Sequence, residues 1–295
     1  MDMPPKPWPT GAVERLEPLV ARLLAPNASP YTFTGTQTYL VGDARGMAVI
    51  DPGPEDTAHL DAIMTALGDA PLLAIAVTHT HRDHSPAAAP LAAMTEARII
   101  GCAPLTLDDD GPRADAAFDT TYRPDQVLAH GEAIRLPAAT LTAVHTPGHT
   151  SNHLCFALEE TGALFTGDHV MGWSTSVVSP PDGDMRAYMT SLEMLYARED
   201  RVYYPAHGPQ IDKPRQLVRG MIGHRRAREK QILRHLESGV SDIPAFVAAM
   251  YRGLDSRLHG AAGRSVLAHL LDLEQRGHVM REGAETWALT TEFRT

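Results

Sequence analysis

Short apolar runs alternate with polar turns along the first two thirds of the chain, and most runs are too short for helices. Residues 38–41 and 47–50 are strand-like and are joined by a turn from Gly42 to Gly46. Residues 31–34 read as another strand, while residues 13–24, inside a proline-rich opening, read as a short helix or surface segment. The pattern over 57–67 predicts a helix with Thr57 at its N-cap and Gly68 past its end. The continuous apolar run 72–77 predicts a buried strand. An alanine-rich helix over 85–97, with Pro86 early where proline is tolerated, and a strand over 98–101 follow. A strand over 139–144, a hairpin of 153–158 with 163–166, a helix over 185–196 and a strand over 202–204 complete an α/β unit.

The pattern then changes. Residues 212–237 read as one long helix with an apolar stripe through Leu217, Met221 or Ile222, Ile232, Leu233 and Leu236. Helices over 243–251 and 263–276, with a short segment over 254–259 between them, precede a hairpin over 277–289. Three helices followed by a hairpin make a winged-helix module. We therefore divide the chain into a unit of 1–215 and a unit of 216–295, the latter a basic linker helix and a winged helix. Charge follows the same division: 14 Lys and Arg against 27 Asp and Glu up to residue 215, then 12 against 9, so the first unit is acidic and the second mildly basic. Eight of the basic residues lie between 213 and 235, against the single acid Glu229. A basic helix docked on an acidic unit is the simpler reading, and a phosphate-attracting rim the sharper one. The would-be recognition helix, 265–274, is mostly apolar and carries Asp272 and Glu274, so specific DNA binding is not expected.

Chemistry concentrates where strands end. His79-Thr80-His81-Arg82-Asp83-His84 places three imidazoles and a carboxylate in one loop directly after the strand 72–77. Neutral imidazole suits zinc, copper, iron or nickel, and a carboxylate widens the choice to harder cations. His149, Asp168 and His207 occupy three further strand ends, and such recurrence in one acidic unit points to a single convergent site. Asp51, also at a strand end, either starts a turn or holds a ligand loop from behind. The acidic run Asp108-Asp109-Asp110 lacks EF-hand spacing and reads as a solvated loop. Only two cysteines are present, which excludes a disulfide framework and implies a reducing compartment. With no apolar secretory segment near Met1 and no run of ~18 apolar residues, a cytoplasmic protein without membrane contact is expected.

The ordered set His79-x-His81-x-Asp83-His84, His149, Asp168 and His207 resembles the metallo-β-lactamase superfamily over roughly residues 30–210, and Asp51 matches that superfamily's early strand-end aspartate. The resemblance implies an αββα sandwich for the first unit, followed by a small α+β winged-helix domain. Within the superfamily, the closer likeness is to the β-lactamase-like protein 2 group. It rests on Asp51-Pro52-Gly53-Pro54, Thr146-Pro147-Gly148-His149-Thr150 with His153, Thr166-Gly167-Asp168 and Tyr188-Met189-x-Ser191-Leu192. It rests also on His224-Arg225-x-x-Arg228-Glu229-x-Gln231-Ile232-Leu233. The stretch 171–184, with Trp173 and Pro180-Pro181-Asp182-Gly183, is longer than that group leads one to expect and should border the pocket.

Position by position, the resemblance implies that His79, His81 and His149 hold one divalent ion, that Asp83, His84 and His207 hold a second, and that Asp168 bridges them. Zinc is the first expectation, with manganese or iron(II) as alternatives. A hydroxide shared by two such ions would attack the substrate, with Asp83 and Asp168 as the catalytic carboxylates and no serine or cysteine nucleophile. His153 fits a supporting role behind the ligands, His145 and His169 structural roles, and Arg82 a position pointing away. The group resemblance and the basic helix favour phosphodiester cleavage of single-stranded RNA. A thioesterase or acyl-esterase of the glyoxalase II kind is the alternative; a β-lactamase or a winged-helix DNA-binding regulator ranks lower. Single-stranded RNA or a small acyl ester is thus the expected partner, and a homodimer is compatible with the sequence.

Overall fold

Alternation along four strands decides the architecture of the second half of the first unit. In the computed structural model, which describes residues 8–105, 118–283 and 285–292, Phe156, Phe165 and Tyr204 pack into one apolar cluster, while their neighbours Cys155, Leu164 and Tyr203 pack into another. Successive side chains of a strand point to opposite faces, so a sheet of such strands is covered on both sides. The chain accordingly folds as two facing sheets with helices outside them.

The elements are β1 (Glu14–Glu17), β2 (Val20–Leu24), β3 (Gln37–Asp43), β4 (Gly46–Ile50), α1 (Thr57–Leu67), β5 (Leu72–Val77), α2 (Ala88–Thr95), β6 (Arg98–Gly101), β7 (Gln126–Val127), β8 (Ala133–Arg135), β9 (Thr140–His145), β10 (Leu154–Leu158), β11 (Ala163–Gly167), α3 (Met185–Ala197) and β12 (Val202–Pro205). Strands β1 to β7 form one sheet in sequence order, antiparallel through β4 and parallel beyond it. The second sheet runs β12-β11-β10-β9-β8, with only the β11–β12 pair parallel. Buried residues of α1 and α2 join the cluster shared by both sheets, and α3 covers the outer face of the second sheet through Met185, Tyr188, Leu192 and Leu195. This is the αββα arrangement that the resemblance implies.

The sheets are stitched along one edge. Leu154 N–H donates to Thr78 O (2.8 Å), Gln37 N–H donates to Ala206 O (2.8 Å) and the Tyr39 hydroxyl donates to Pro205 O (2.6 Å). Those partners stand at the ends of β5 and β12, so the edge that carries the strand-end histidines is also where the layers are fixed to each other.

The C-terminal part consists of α4 (Pro214–Glu237), α5 (Ile243–Met250), a short 3₁₀ turn (Ser256–Leu258), α6 (His259–Gln275), and the hairpin β13 (Val279–Arg281) with β14 (Trp287–Leu289). Helix α4 serves two cores: Val218, Met221 and Ile222 pack with α3, while Ile232 and Leu236 pack with Phe246, Val266 and Trp287 of the winged helix. Arg226 pairs with Glu193 of α3 (2.9 Å), and Arg186 of α3 pairs with Asp272 of α6 (3.0 Å). Among the described residues no helix is long and apolar enough to cross a membrane.

Several local expectations are corrected. Residues 13–24 form the β1–β2 hairpin, because Pro18-Leu19 makes the turn and β2 finds its partner in β3, with Val20 opposite Val41. Residues 31–34 are a turn, not a strand: Phe33 has φ +59° and lies flat on Trp173 with ring centroids 4.7 Å apart. Asp56, not Thr57, caps α1, its Oδ1 accepting the His59 N–H at 2.8 Å. The helix expected over 85–97 is confined to Ala88–Thr95, and α6 begins at His259 rather than 263. The run Asp108-Asp109-Asp110 lies outside the described residues.

Gly148 shows how closely α3 approaches the second sheet. Its φ is +136°, and a Cβ there would stand 2.3 Å from the Tyr188 backbone. Gly148→Ala is expected to destabilise the fold by roughly 3 kcal/mol, combining overpacking with a left-handed backbone, as read from the midpoint of chemical denaturation.

Candidate metal centre

Loops at the ends of β5, β9, β11 and β12 bring His79, His81, Asp83, His84, His149, Asp168 and His207 to one point. All are buried except Asp83, which is part-buried. They form two groups, His79-His81-His149-Asp168 and Asp83-His84-Asp168-His207, within each of which the ligand-type atoms lie within 4.8 Å of one another. Asp168 belongs to both.

Three ring nitrogens converge here. His81 Nδ1 is 3.0 Å from His79 Nε2 and 3.1 Å from His149 Nε2. One proton on His81 Nδ1 can be shared among these nitrogens, whereas a cation would engage all three lone pairs at once; the edge of a tetrahedron of zinc–nitrogen bonds is about 3.4 Å. In the second group His207 Nε2 is 3.1 Å from Asp83 Oδ2 and 3.2 Å from Asp168 Oδ1, and His84 Nε2 is 3.4 and 3.5 Å from the same two atoms. His84 Nε2 and Asp168 Oδ1 are buried with no hydrogen-bond partner among the described residues. The donor set therefore fits two divalent ions.

Groups behind the cluster set the tautomers. His84 Nδ1–H donates to Asp51 Oδ2 (2.9 Å). His79 Nδ1–H donates to Thr78 Oγ1 (3.0 Å), whose own hydroxyl donates to Asp51 Oδ2 (2.7 Å), and Thr78 N–H donates to Asp51 Oδ1 (2.8 Å). Of the two readings open for Asp51, the structure supports the one in which it holds the ligand loop. His149 Nδ1–H donates to Val177 O (2.6 Å) and His207 Nδ1–H to Gly35 O (3.3 Å), so four of the five histidines present Nε2 inward. His153 stands behind the cluster: its Nε2 accepts the Asp168 N–H at 3.2 Å. His145 and Arg82 are exposed, and His169 packs on the Tyr188 ring, 4.6 Å between centroids. None of these three reaches the cluster.

Electrostatics divide the two groups. Burial pushes His79 down, helped by the His84 and His81 imidazoles, and burial with His149 pushes His81 down to about 3. Burial alone would lower His84 and His207 too, but Asp83 and Asp168 outweigh it, raising His84 well above the usual value and His207 to about 10. Reciprocally, the same two imidazoles overcome the burial that would raise Asp83 and Asp168 and hold both well below the usual carboxylate range. Burial pushes the Cys102 thiol up, and the Cys155 thiol up to about 12, so neither supplies a nucleophile.

Above the cluster lies a cavity of about 380 Å³. One wall is the 171–184 stretch, with Met171, Trp173 and Val177, and the opposite wall comes from the winged helix, with Tyr251, Leu254 and Leu258. Arg225 and Arg228 of α4 line it as well.

A family model described as the metallo-β-lactamase superfamily matches residues 31–207. The chain belongs to this superfamily. Its tail matches the β-lactamase-associated winged helix domain over 243–287. Among superfamily relatives, the chain is 34% identical to an atrochrysone carboxyl ACP thioesterase of Paecilomyces divaricatus, over 98% of this chain and 90% of that protein. It is 32% identical to a β-lactamase-like protein 2 homolog of Drosophila melanogaster, over 90% and 91%. A β-lactamase domain protein from Burkholderia ambifaria superposes with a TM-score of 0.75 at 21% identity, covering 97% of this chain and 96% of that one. The chain is thus a metallo-β-lactamase-fold, metal-dependent hydrolase with an appended winged helix.

Asp51, Thr78 and the carbonyls of Val177 and Gly35 complete the site, and only the first drew attention in the sequence. Asp51→Ala is expected to weaken metal retention roughly 10- to 100-fold, measured by chelator competition, because it releases His84 directly and His79 through Thr78. The raised His207 stabilises the metal-free fold below its usual 6.5, a contribution lost as pH rises through about 10. Metal binding near neutral pH must therefore expel protons from His84 and His207, and apparent affinity should climb with pH toward that limit. Titration calorimetry in buffers of different ionisation enthalpy checks this; a heat independent of buffer would contradict it.

Proposed function

We propose that the chain hydrolyses acyl thioesters. The observation that carries this reading is the cavity over the candidate metal centre: Tyr31, Met171, Trp173, Val177, Leu254 and Leu258 give it an apolar part beside the cluster, and its volume of about 380 Å³ suits a small or aromatic acyl group. The full-length likeness to a fungal carboxyl ACP thioesterase supports it.

In this reading His79, His81 and His149 would hold one ion, Asp83, His84 and His207 would hold the other, and Asp168 would serve both. A divalent pair supplies Lewis acidity and a water whose pKa lies near neutrality. Asp51 and Thr78 keep His84 and His79 in the tautomer that turns Nε2 inward. Asp83 and Asp168, both held well below the usual carboxylate range and both lining the cavity, would accept the proton of the attacking water. Hydrolysis forms a carbon–oxygen bond and breaks the carbon–sulfur bond; a thiolate of pKa about 8.5 departs without a proton donated by the chain. The apolar residues of the lining seat the acyl chain.

RNA, the substrate favoured by the sequence, is less well served. A single-strand track needs successive open aromatic faces on which bases stack. Phe33 covers one face of Trp173 and Arg228 covers one face of Tyr251, so two of the cavity's aromatic rings each lose a stacking face. The expected result is chelator-sensitive turnover of acyl thioesters by the metal-loaded protein, with kcat/KM lowered more than about 100-fold in Asp168→Ala. Cleavage of an RNA oligonucleotide without thioester turnover would overturn the proposal.

A further inference from the structure

Arg225 is unusual for a residue of its charge. It is 4% exposed, yet its guanidinium meets only neutral acceptors: Nη2 donates to Ser176 O, Nη1 to Ser265 Oγ at 3.4 Å, and Nε is buried with no partner. Its flat face lies over Tyr188, 5.1 Å from the ring centroid. Arg228 stands one turn further along α4 in the same cavity. Its Nη1 donates to Gln231 Oε1 (2.9 Å) and Met250 O (3.4 Å), and it lies over Tyr251 at 4.5 Å. Neither guanidinium has a carboxylate partner among the described residues, whereas Arg226 between them in sequence is paired with Glu193 and the neighbouring Glu229 is taken by Arg276.

A buried guanidinium without a counter-charge is costly to maintain unless something else supplies the charge. The acidic groups of this cavity, Asp83 and Asp168, belong to the metal cluster and are faced by His84 and His207. The Tyr188 and Tyr251 rings and the hydrogen bonds to neutral acceptors hold both guanidinium groups in place, a preorganisation that favours recognition of a carboxylate or phosphate. Arg225 also reaches the substrate wall directly: it grips Ser176 O, while the next carbonyl, Val177 O, orients His149. The cationic pair and the metal cluster thus line one cavity.

We propose that Arg225 and Arg228 form a subsite for an anionic group of the substrate, a carboxylate on its acyl part or a phosphate on its thiol carrier. The anion site stands on the cavity's own charges; that the anion rides on a thioester rests on the function proposed above.

The test uses the metal-loaded protein and two matched substrate pairs: butanoyl against succinyl N-acetylcysteamine thioester, and acyl-pantetheine against acyl-4′-phosphopantetheine. The subsite predicts at least about a tenfold advantage in kcat/KM for the anionic member of one pair, the value of one charged hydrogen bond. Arg228→Gln should reduce that ratio about tenfold, chiefly through KM. The first pair reports a carboxylate and the second a phosphate. Arg225→Lys, which keeps the charge but not the fork, should lose part of the ratio, while Arg228→Gln leaves the α4 bridge to Ser176 intact should Arg225 variants misfold. Ratios within twofold in both pairs would overturn the subsite. If no thioester turns over, the functional reading fails separately, and calorimetric binding of succinate and 4′-phosphopantetheine decides. Affinity about tenfold weaker in Arg228→Gln would uphold the subsite, and unchanged affinity would overturn it.

Discussion

One carboxylate organises the catalytic edge. Asp51 accepts from Thr78 N–H, Thr78 Oγ1 and His84 Nδ1, and it does so from a left-handed backbone, φ +47°, fixed by its own N–H on Ala76 O and by the Thr38 hydroxyl on its carbonyl. An L residue leaves the right-handed regions only where its surroundings over-determine it. Here the surroundings are the ends of β4 and β5, so the geometry of the parallel strand pair passes straight into the tautomers of His84 and His79. The two candidate half-sites, one with the lowered imidazoles of His79 and His81 and the other with the raised imidazoles of His84 and His207 against two carboxylates, are tied through this single buried group.

The rest of the sandwich exists to hold such strand ends still. Alternating side chains of β9 to β12 fill two cores at once, and the inter-sheet hydrogen bonds at Thr78 and Ala206 lock the layers beside the cluster. Loops rooted this way lose little further freedom when a cation arrives, which is why a set of five histidines and two aspartates can be preorganised rather than assembled by the ion.

Much of this was legible in the residues. The strand-end positions of His79 to His84, His149, Asp168 and His207 follow from apolar runs that stop beside them, and the structure brings all seven together. What escaped has physical causes. Val177 O and Gly35 O are backbone groups, identical at every position, so no side-chain pattern marks them. The β1–β2 hairpin hid because a strand's amphipathicity over a few residues mimics a helix until its partner, β3, is known. Phe33 belongs by type to a strand, but stacking on Trp173 and the turn beside Gly35 outweigh that preference. The cavity was least readable, since Trp173, Arg225 and Leu258 meet only through packing of separate units.

The division of labour between floor and roof has an evolutionary consequence. The strand ends of the sandwich carry the groups that do chemistry, whereas α4, the 3₁₀ turn and α6 carry much of the wall that a substrate touches. Mutations drifting through the appended module can reshape or recharge the cavity while Asp51 and its network stay untouched. A lineage built on this plan can change what it digests without relearning how to digest.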